Sequence, residues 1–141
     1  MYNVFLIKEH VHMVFLLADD SRPTRNLLKS YVSELDLDAP PDFLETETPE
    51  TTLDMVQNRR VDFVFLDWYF NTKMTGLDVL KEIRKIEKFK QLPIIMVTSD
   101  SNKANVIVAL KLGANDFIVK PIDKKSFAEK TYKVINSIKY T

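Results

Sequence analysis

Asp67 stands in the middle of the apolar stretch "FVFLDWYF", residues 63–70. An unpaired carboxylate is costly to bury there, so it needs either a wet strand end or a cation beside it. Two more carboxylates, Asp19 and Asp20, follow the apolar run "VFLLA" (14–18). Thr98 and Ser99 end the run that begins "PIIMV", and Lys120-Pro121 ends "DFIVK" (116–120). Three neighbouring carboxylates would repel one another and raise each other's pKa. A hard divalent cation and an ammonium relieve such repulsion. Mg2+ suits the task because it takes oxygen ligands and keeps several waters, and Lys120 supplies the ammonium. A hydroxyl, an ammonium and Mg2+ together can also hold three phosphoryl oxygens. Asp67 is then a candidate nucleophile toward phosphorus.

These residues act together only if the ends of their segments meet. The runs 14–18, 61–67, 93–98 and 116–120 are rich in Val, Ile and Phe without clean alternation. That pattern predicts parallel strands covered on both faces. A weaker fifth strand is "FLETE" (43–47). Helical patterns lie between them. Ser21 is a cap, Pro23 sits in the first turn, and Leu27, Leu28, Tyr31, Val32 and Leu35 form one apolar face. Further helices are predicted over 50–58, 76–88, 102–112 and 123–138. In the third, Leu77, Leu80 and Ile83 point inward. In the last, Phe127, Thr131, Val134, Ile135 and Ile138 share a side. Gly113 ends the fourth as a C-terminal cap. Strand and helix alternate five times, which implies an α/β fold with helices on both faces of a parallel sheet. Ligands of such sheets bind at the carboxyl ends of the strands, where the candidate residues stand.

Composition narrows the function. The 141 residues fit one domain, and 45% apolar content is enough for a core. Twenty basic side chains balance twenty acidic ones, so no case arises for general nucleic-acid binding. The absence of cysteine excludes disulfides and thiolate metal sites. Gly76 and Gly113 are the only glycines, which excludes clustered-glycine phosphate loops. Lys8, Glu9, His10 and His12 interrupt the apolar start, so residues 1–17 do not read as a signal peptide, and no run reaches membrane-span length. The chain is read as cytoplasmic. Met13, directly before the first strand, is a candidate natural start, making 1–12 an extension and 13–141 the domain. His10 and His12 are read as solvated chain within that extension.

The segments "LLADDS", "FLDW", "MTGLDVL", "PIIMVTSD" and "GANDFIVKPI", in this order and each at a strand end, resemble the response-regulator receiver domain of two-component signalling, the CheY-like family. The likeness runs from about residue 13 to 139. It implies a single doubly wound (βα)5 flavodoxin-like domain with a five-stranded parallel sheet of order 2-1-3-4-5. By the same resemblance Asp67 is the phosphoacceptor and a metal ligand. Asp19, Asp20 and the Tyr69 backbone carbonyl are the other ligands for Mg2+, with Mn2+ an acceptable substitute. Thr98 is the hydroxyl that contacts the phosphoryl group, Phe117 the switch aromatic and Lys120 the phosphoryl-contacting lysine. The Lys120-Pro121 peptide is expected to be cis. Two features depart from the family pattern. Asn71 stands where a proline is usual, and Gly76 comes one residue late, so the loop after Asp67 carries an extra residue.

The chain is read as a stand-alone receiver, and the resemblance implies that it takes its phosphoryl group from a sensor histidine kinase or a phosphotransfer protein. It would signal to a downstream protein through the 102–139 face, in chemotaxis or motor control or in a relay. It is expected to be a monomer, with dimerisation open to the phosphorylated form, and not an enzyme beyond assisting its own phosphorylation and dephosphorylation. Two rivals remain. The altered loop is compatible with a pseudo-receiver that is never phosphorylated. A Mg2+-dependent phosphatase with an aspartyl nucleophile would want a second Asp where Tyr69 stands. Trp68 is read as half-exposed packing and a reporter of metal binding. Ser99 and Asp100 are open to either a tuning or a capping role.

Overall fold

A computed structural model describes residues 12–139. Apart from His12, the extension at 1–12 lies outside the described residues. His12 itself is not bare solvated chain: its imidazole lies 2.6 Å from Asp42, and its carbonyl accepts a hydrogen bond from Arg60.

The elements alternate as β1 (Val14–Ala18), α1 (Arg22–Ser33), β2 (Asp42–Thr46), α2 (Pro49–Asn58), β3 (Phe63–Asp67), α3 (Gly76–Lys85), β4 (Ile94–Thr98), α4 (Lys103–Lys111), β5 (Asp116–Val119) and α5 (Lys124–Lys139). All four strand pairings are parallel, and the sheet order is β2-β1-β3-β4-β5. This is the expected doubly wound arrangement. Among the described residues no helix is long and apolar enough to cross a membrane.

Strand alternation splits the core into two layers. Phe15, Leu17, Phe63, Phe65, Ile95 and Val97 face α1 and α5, meeting Leu28, Val32, Phe127, Val134 and Ile135. Leu16, Ala18, Val64, Leu66, Ile94 and Met96 face the other way, meeting Val56, Val79, Leu80, Ile83 and Ala109. Phe65 stacks on Phe127 with ring centroids 5.2 Å apart, which ties the central strand to the last helix.

Several boundaries move by one to three residues, each for a local reason. β2 begins at Asp42 because Asp42 pairs with Val14, and Glu47 is released to meet Arg25. β3 begins at Phe63 because the Asp62 carboxylate accepts the Val14 N–H, which caps the edge of the ladder. α3 ends at Lys85, since Ile86 is extended and a 3-10 turn follows at Glu87–Phe89. Arg84 fixes that exit by donating to the carbonyls of Phe89 and Gly113. Leu27 and Ile138 are exposed, so the apolar stripes of α1 and α5 are narrower than their sequences imply. Gly113, at φ 108, closes α4 as expected. Its N–H reaches Leu110 and the next N–H reaches Ala109, the paired bonds of a left-handed helix end.

Gly76 matters most for the site. Its N–H donates to the Trp68 carbonyl at 2.7 Å, closing the base of the loop after β3. A Cβ there would lie 1.8 Å from the Asp67 carbonyl oxygen, a backbone atom that cannot swing aside. Gly76→Ala is therefore expected to cost roughly 2 kcal/mol or more, read as a lower midpoint in urea unfolding.

Candidate functional site

The carboxyl ends of β1, β3, β4 and β5 bring the candidate residues to one edge of the sheet. Carboxylate oxygens of Asp19, Asp20 and Asp67 lie within 4.8 Å of one another. Asp19 and Asp67 are buried, and Asp20 is exposed. Lys120 Nζ lies 3.0 Å from Asp19 Oδ2 and 3.4 Å from Asp67 Oδ1. The Lys120-Pro121 peptide is cis. Thr98 is buried at the end of β4, where its carbonyl accepts the Lys120 N–H and its hydroxyl accepts the Asp100 N–H.

Each position has a local cause. Asp19 directly follows β1 with its N–H on the Thr46 carbonyl, and its Oδ1 accepts the Ser21 N–H. Ser21 then caps α1 by accepting from the Thr24 N–H. Asp67 follows the buried run of β3, in register with Val97. Trp68 is only 6% exposed, not half-exposed, because alternation past Asp67 carries it onto the face of Leu66 and Val64. Phe70 follows two residues later into the same layer. Tyr69 points the other way and is 48% exposed. Asp100 takes a structural part at the start of α4, accepting from the Asn102 N–H and from Asn105. Phe117 is half-buried on β5, in register with Met96, with the Lys130 ammonium 4.1 Å from its ring centroid.

Arg25 escaped the sequence reading. Its guanidinium is buried on the inner stripe of α1, in line with Leu28 and Val32. It donates to the Asp19 carbonyl at 2.8 Å, to Glu45 at 2.9 Å and to Glu47 at 3.1 Å. The Asp19 peptide is thus gripped on both sides, its N–H by β2 and its carbonyl by α1. An arginine at i, i+3, i+7 spacing with two buried leucine-like positions, opposite two acids in "ETE", was the available signal. The Asn71 contact with Asp20 was likewise invisible, since it depends on the path of the loop.

The charges at this edge do not balance. Burial above all, and then the neighbouring Asp19 carboxylate, push the Asp67 carboxyl up to about 6, although Lys120 and the Tyr69 N–H pull it down. Burial opposes the charge on Lys120, but Asp67 and Asp19 more than offset this and hold its pKa above the usual lysine value. Lys120 therefore stays an ammonium at neutral pH. Clustered hard oxygen donors, two of them buried, fit a small divalent cation well. An ionised Asp67 beside an ammonium can accept a phosphoryl group.

A family model described as response regulator receiver domain matches residues 15–132. A chemotaxis protein CheY homolog from Campylobacter jejuni is 36% identical over 126 residues, which covers 89% of this chain and 94% of that protein. Chemotaxis protein CheY1 of Helicobacter pylori is also 36% identical over 126 residues, covering 89% and 98%. Among solved structures, the signal receiver domain of a putative Luxo repressor protein from Vibrio parahaemolyticus superposes with a TM-score of 0.80 at 24% identity, covering 92% of this chain and 95% of that one. Vibrio cholerae CheY4 gives 0.76 at 22% identity, covering 88% and 99%.

The raised carboxyl has a sign for stability. In metal-free protein the folded state holds the Asp67 proton up to about pH 6, whereas the unfolded chain loses it near pH 4. The unfolded state binds fewer protons across that window, so stability falls as pH rises through it. Asp67→Asn is expected to stabilise the metal-free protein at pH 7.5 by about 1–3 kcal/mol. The gain should shrink toward zero at pH 4, as read by urea unfolding at the two pH values.

Proposed function

This chain belongs to the response regulator receiver family, and from that premise we propose that Asp67 accepts a phosphoryl group in two-component signalling. The observation that carries the proposal is the Lys120 ammonium set between Asp19 and Asp67, with Asp20 in the same carboxylate cluster. The donor is a histidine kinase or a histidine phosphotransfer protein. An Asp67 oxygen forms the new P–O bond while the P–N bond of the phosphohistidine breaks, and the imidazole leaves with the electron pair. Lys120 holds a phosphoryl oxygen throughout. Asp19, Asp20, Asp67 and the Tyr69 carbonyl would hold Mg2+, or Mn2+ in its place. When bound, the cation neutralises charge gathering on the phosphoryl oxygens. No turnover of outside substrates is proposed.

The aspartyl phosphate adds charge and acceptor oxygens at a crowded edge. On this reading the Thr98 hydroxyl, at the end of the neighbouring strand, is the switching contact. Turning it toward the phosphoryl group gives up its bond to the Asp100 N–H, and Asp100 anchors the start of α4 through Asn102 and Asn105. Phe117 lies on the adjacent strand under Lys130 and would repack as Thr98 moves. The face at 102–139 carries Ile107, Val108 and Leu110 exposed among lysines. A shift between two packings of this face would change its affinity for a downstream protein. Relatives named for chemotaxis favour a target of that kind. A cytoplasmic setting suits a kinase-fed protein, and neither nucleic acid nor a membrane is needed.

Incubation with a small phosphodonor and Mg2+ should add one phosphoryl group to the intact mass of the wild type and none to Asp67→Asn. No gain in the wild type would favour a pseudo-receiver. On this reading Tyr69, half-exposed two residues after the acceptor, obstructs a hydrolytic water. Tyr69→Asn is expected to speed loss of the phosphoryl group, up to about tenfold, equivalent to ~1.4 kcal/mol in barrier. A phosphate-release assay reads the effect.

A further inference from the structure

The loop from Tyr69 to Thr75, where the chain departs from the family pattern, reaches back to the acid pair. Its base is closed by the Gly76 N–H on the Trp68 carbonyl, and Phe70 wedges it into the core. A Thr72 hydroxyl bond to the Met74 carbonyl at 2.8 Å braces the far side. Between these anchors Asn71 adopts φ 57. That left-handed conformation is open to asparagine and closed to proline, whose ring fixes φ near −65°. The left-handed turn is therefore one that a proline at position 71 could not make. The turn aims the Asn71 amide at Asp20, donating from Nδ2 to Oδ2 at 2.9 Å.

Asp20 is the member of the triad that most needs this. Asp19 is buried and held by Lys120 and the Ser21 N–H, and Asp67 is buried beside Lys120. Asp20 is exposed. Among the described residues the one hydrogen bond to its carboxylate comes from Asn71. A neutral amide can occupy one carboxylate oxygen and leave the other to a cation without adding competing charge.

We propose that Asn71 is a positioning residue that holds Asp20 in the triad, so that a divalent cation meets three fixed carboxylates instead of two. This rests on the reading that the triad binds Mg2+. Ordering one side chain in advance is worth about a three- to tenfold change in affinity.

The test is a Mg2+ titration of the whole protein, followed by calorimetry and by Trp68 fluorescence. Asn71→Gly keeps the positive φ and removes only the amide. Thr72→Ala loosens the same loop without touching Asp20. Asn71→Gly should weaken Mg2+ binding about three- to tenfold with its urea midpoint little changed, while Thr72→Ala binds as the wild type does. Wild-type affinity in Asn71→Gly, or tighter binding, would overturn the assignment while leaving the metal reading intact. So would an equal loss in Thr72→Ala, which would trace the effect to general loop order. A wild type that binds no Mg2+ would overturn both.

Discussion

Asp19, Asp20 and Asp67 are packed at one sheet edge with the Lys120 ammonium in contact with two of them. Unit charges about 4 Å apart interact by roughly 4 kcal/mol at an effective dielectric near 20. Three carboxylates make three repulsive pairs, and Lys120 answers with two close attractions. Two attractions do not fully offset three repulsions, and the loss of water around Asp67 adds to the imbalance. Burial is the largest cause that lifts its carboxyl to about 6, with the Asp19 carboxylate next. A divalent cation changes the sign of this sum. The edge is poorly suited to being left alone and well suited to gaining positive charge.

The rest of the fold keeps these charges from drifting apart. The Asp19 peptide is bound on one side by β2 and on the other by Arg25, which Glu45 and Glu47 hold in turn. Asp67 sits on a strand whose whole run is buried, locked by Phe65 against Phe127. Gly76 lets the loop turn directly above the Asp67 carbonyl. Lys120 is brought in by β5, whose end is tied to Thr98 through the Lys120 N–H. Thr98 is thus bonded at two places, to Lys120 through its carbonyl and to the start of α4 through its hydroxyl. The same contacts that keep the site crowded also connect it to the face at 102–139.

Much of this could be read from the chain. A carboxylate inside an apolar run, an acid pair after another and a lysine closing a third need no structure to be noticed. Alternating strand and helix patterns then place them on one edge. The reading weakened wherever a residue's environment is set by partners distant in sequence. Trp68 looked half-exposed because its position past the strand end hid the continuing alternation. Leu27 looked buried because apolar periodicity on α1 is wider than the stripe the sheet covers. Arg25 was passed over because a charge on a helix is ordinarily solvated, and only Glu45 and Glu47 explain its burial. The extra loop residue was visible, but the left-handed turn at Asn71 and its reach to Asp20 were not.

The most direct test of this charge account is the titration of the Asp67 carboxyl carbon by NMR, without Mg2+ and then with it. The account predicts a midpoint near 6 in metal-free protein, falling well below 4 once the cation is present. An ordinary carboxylate midpoint in the metal-free protein, unmoved by Mg2+, would contradict it.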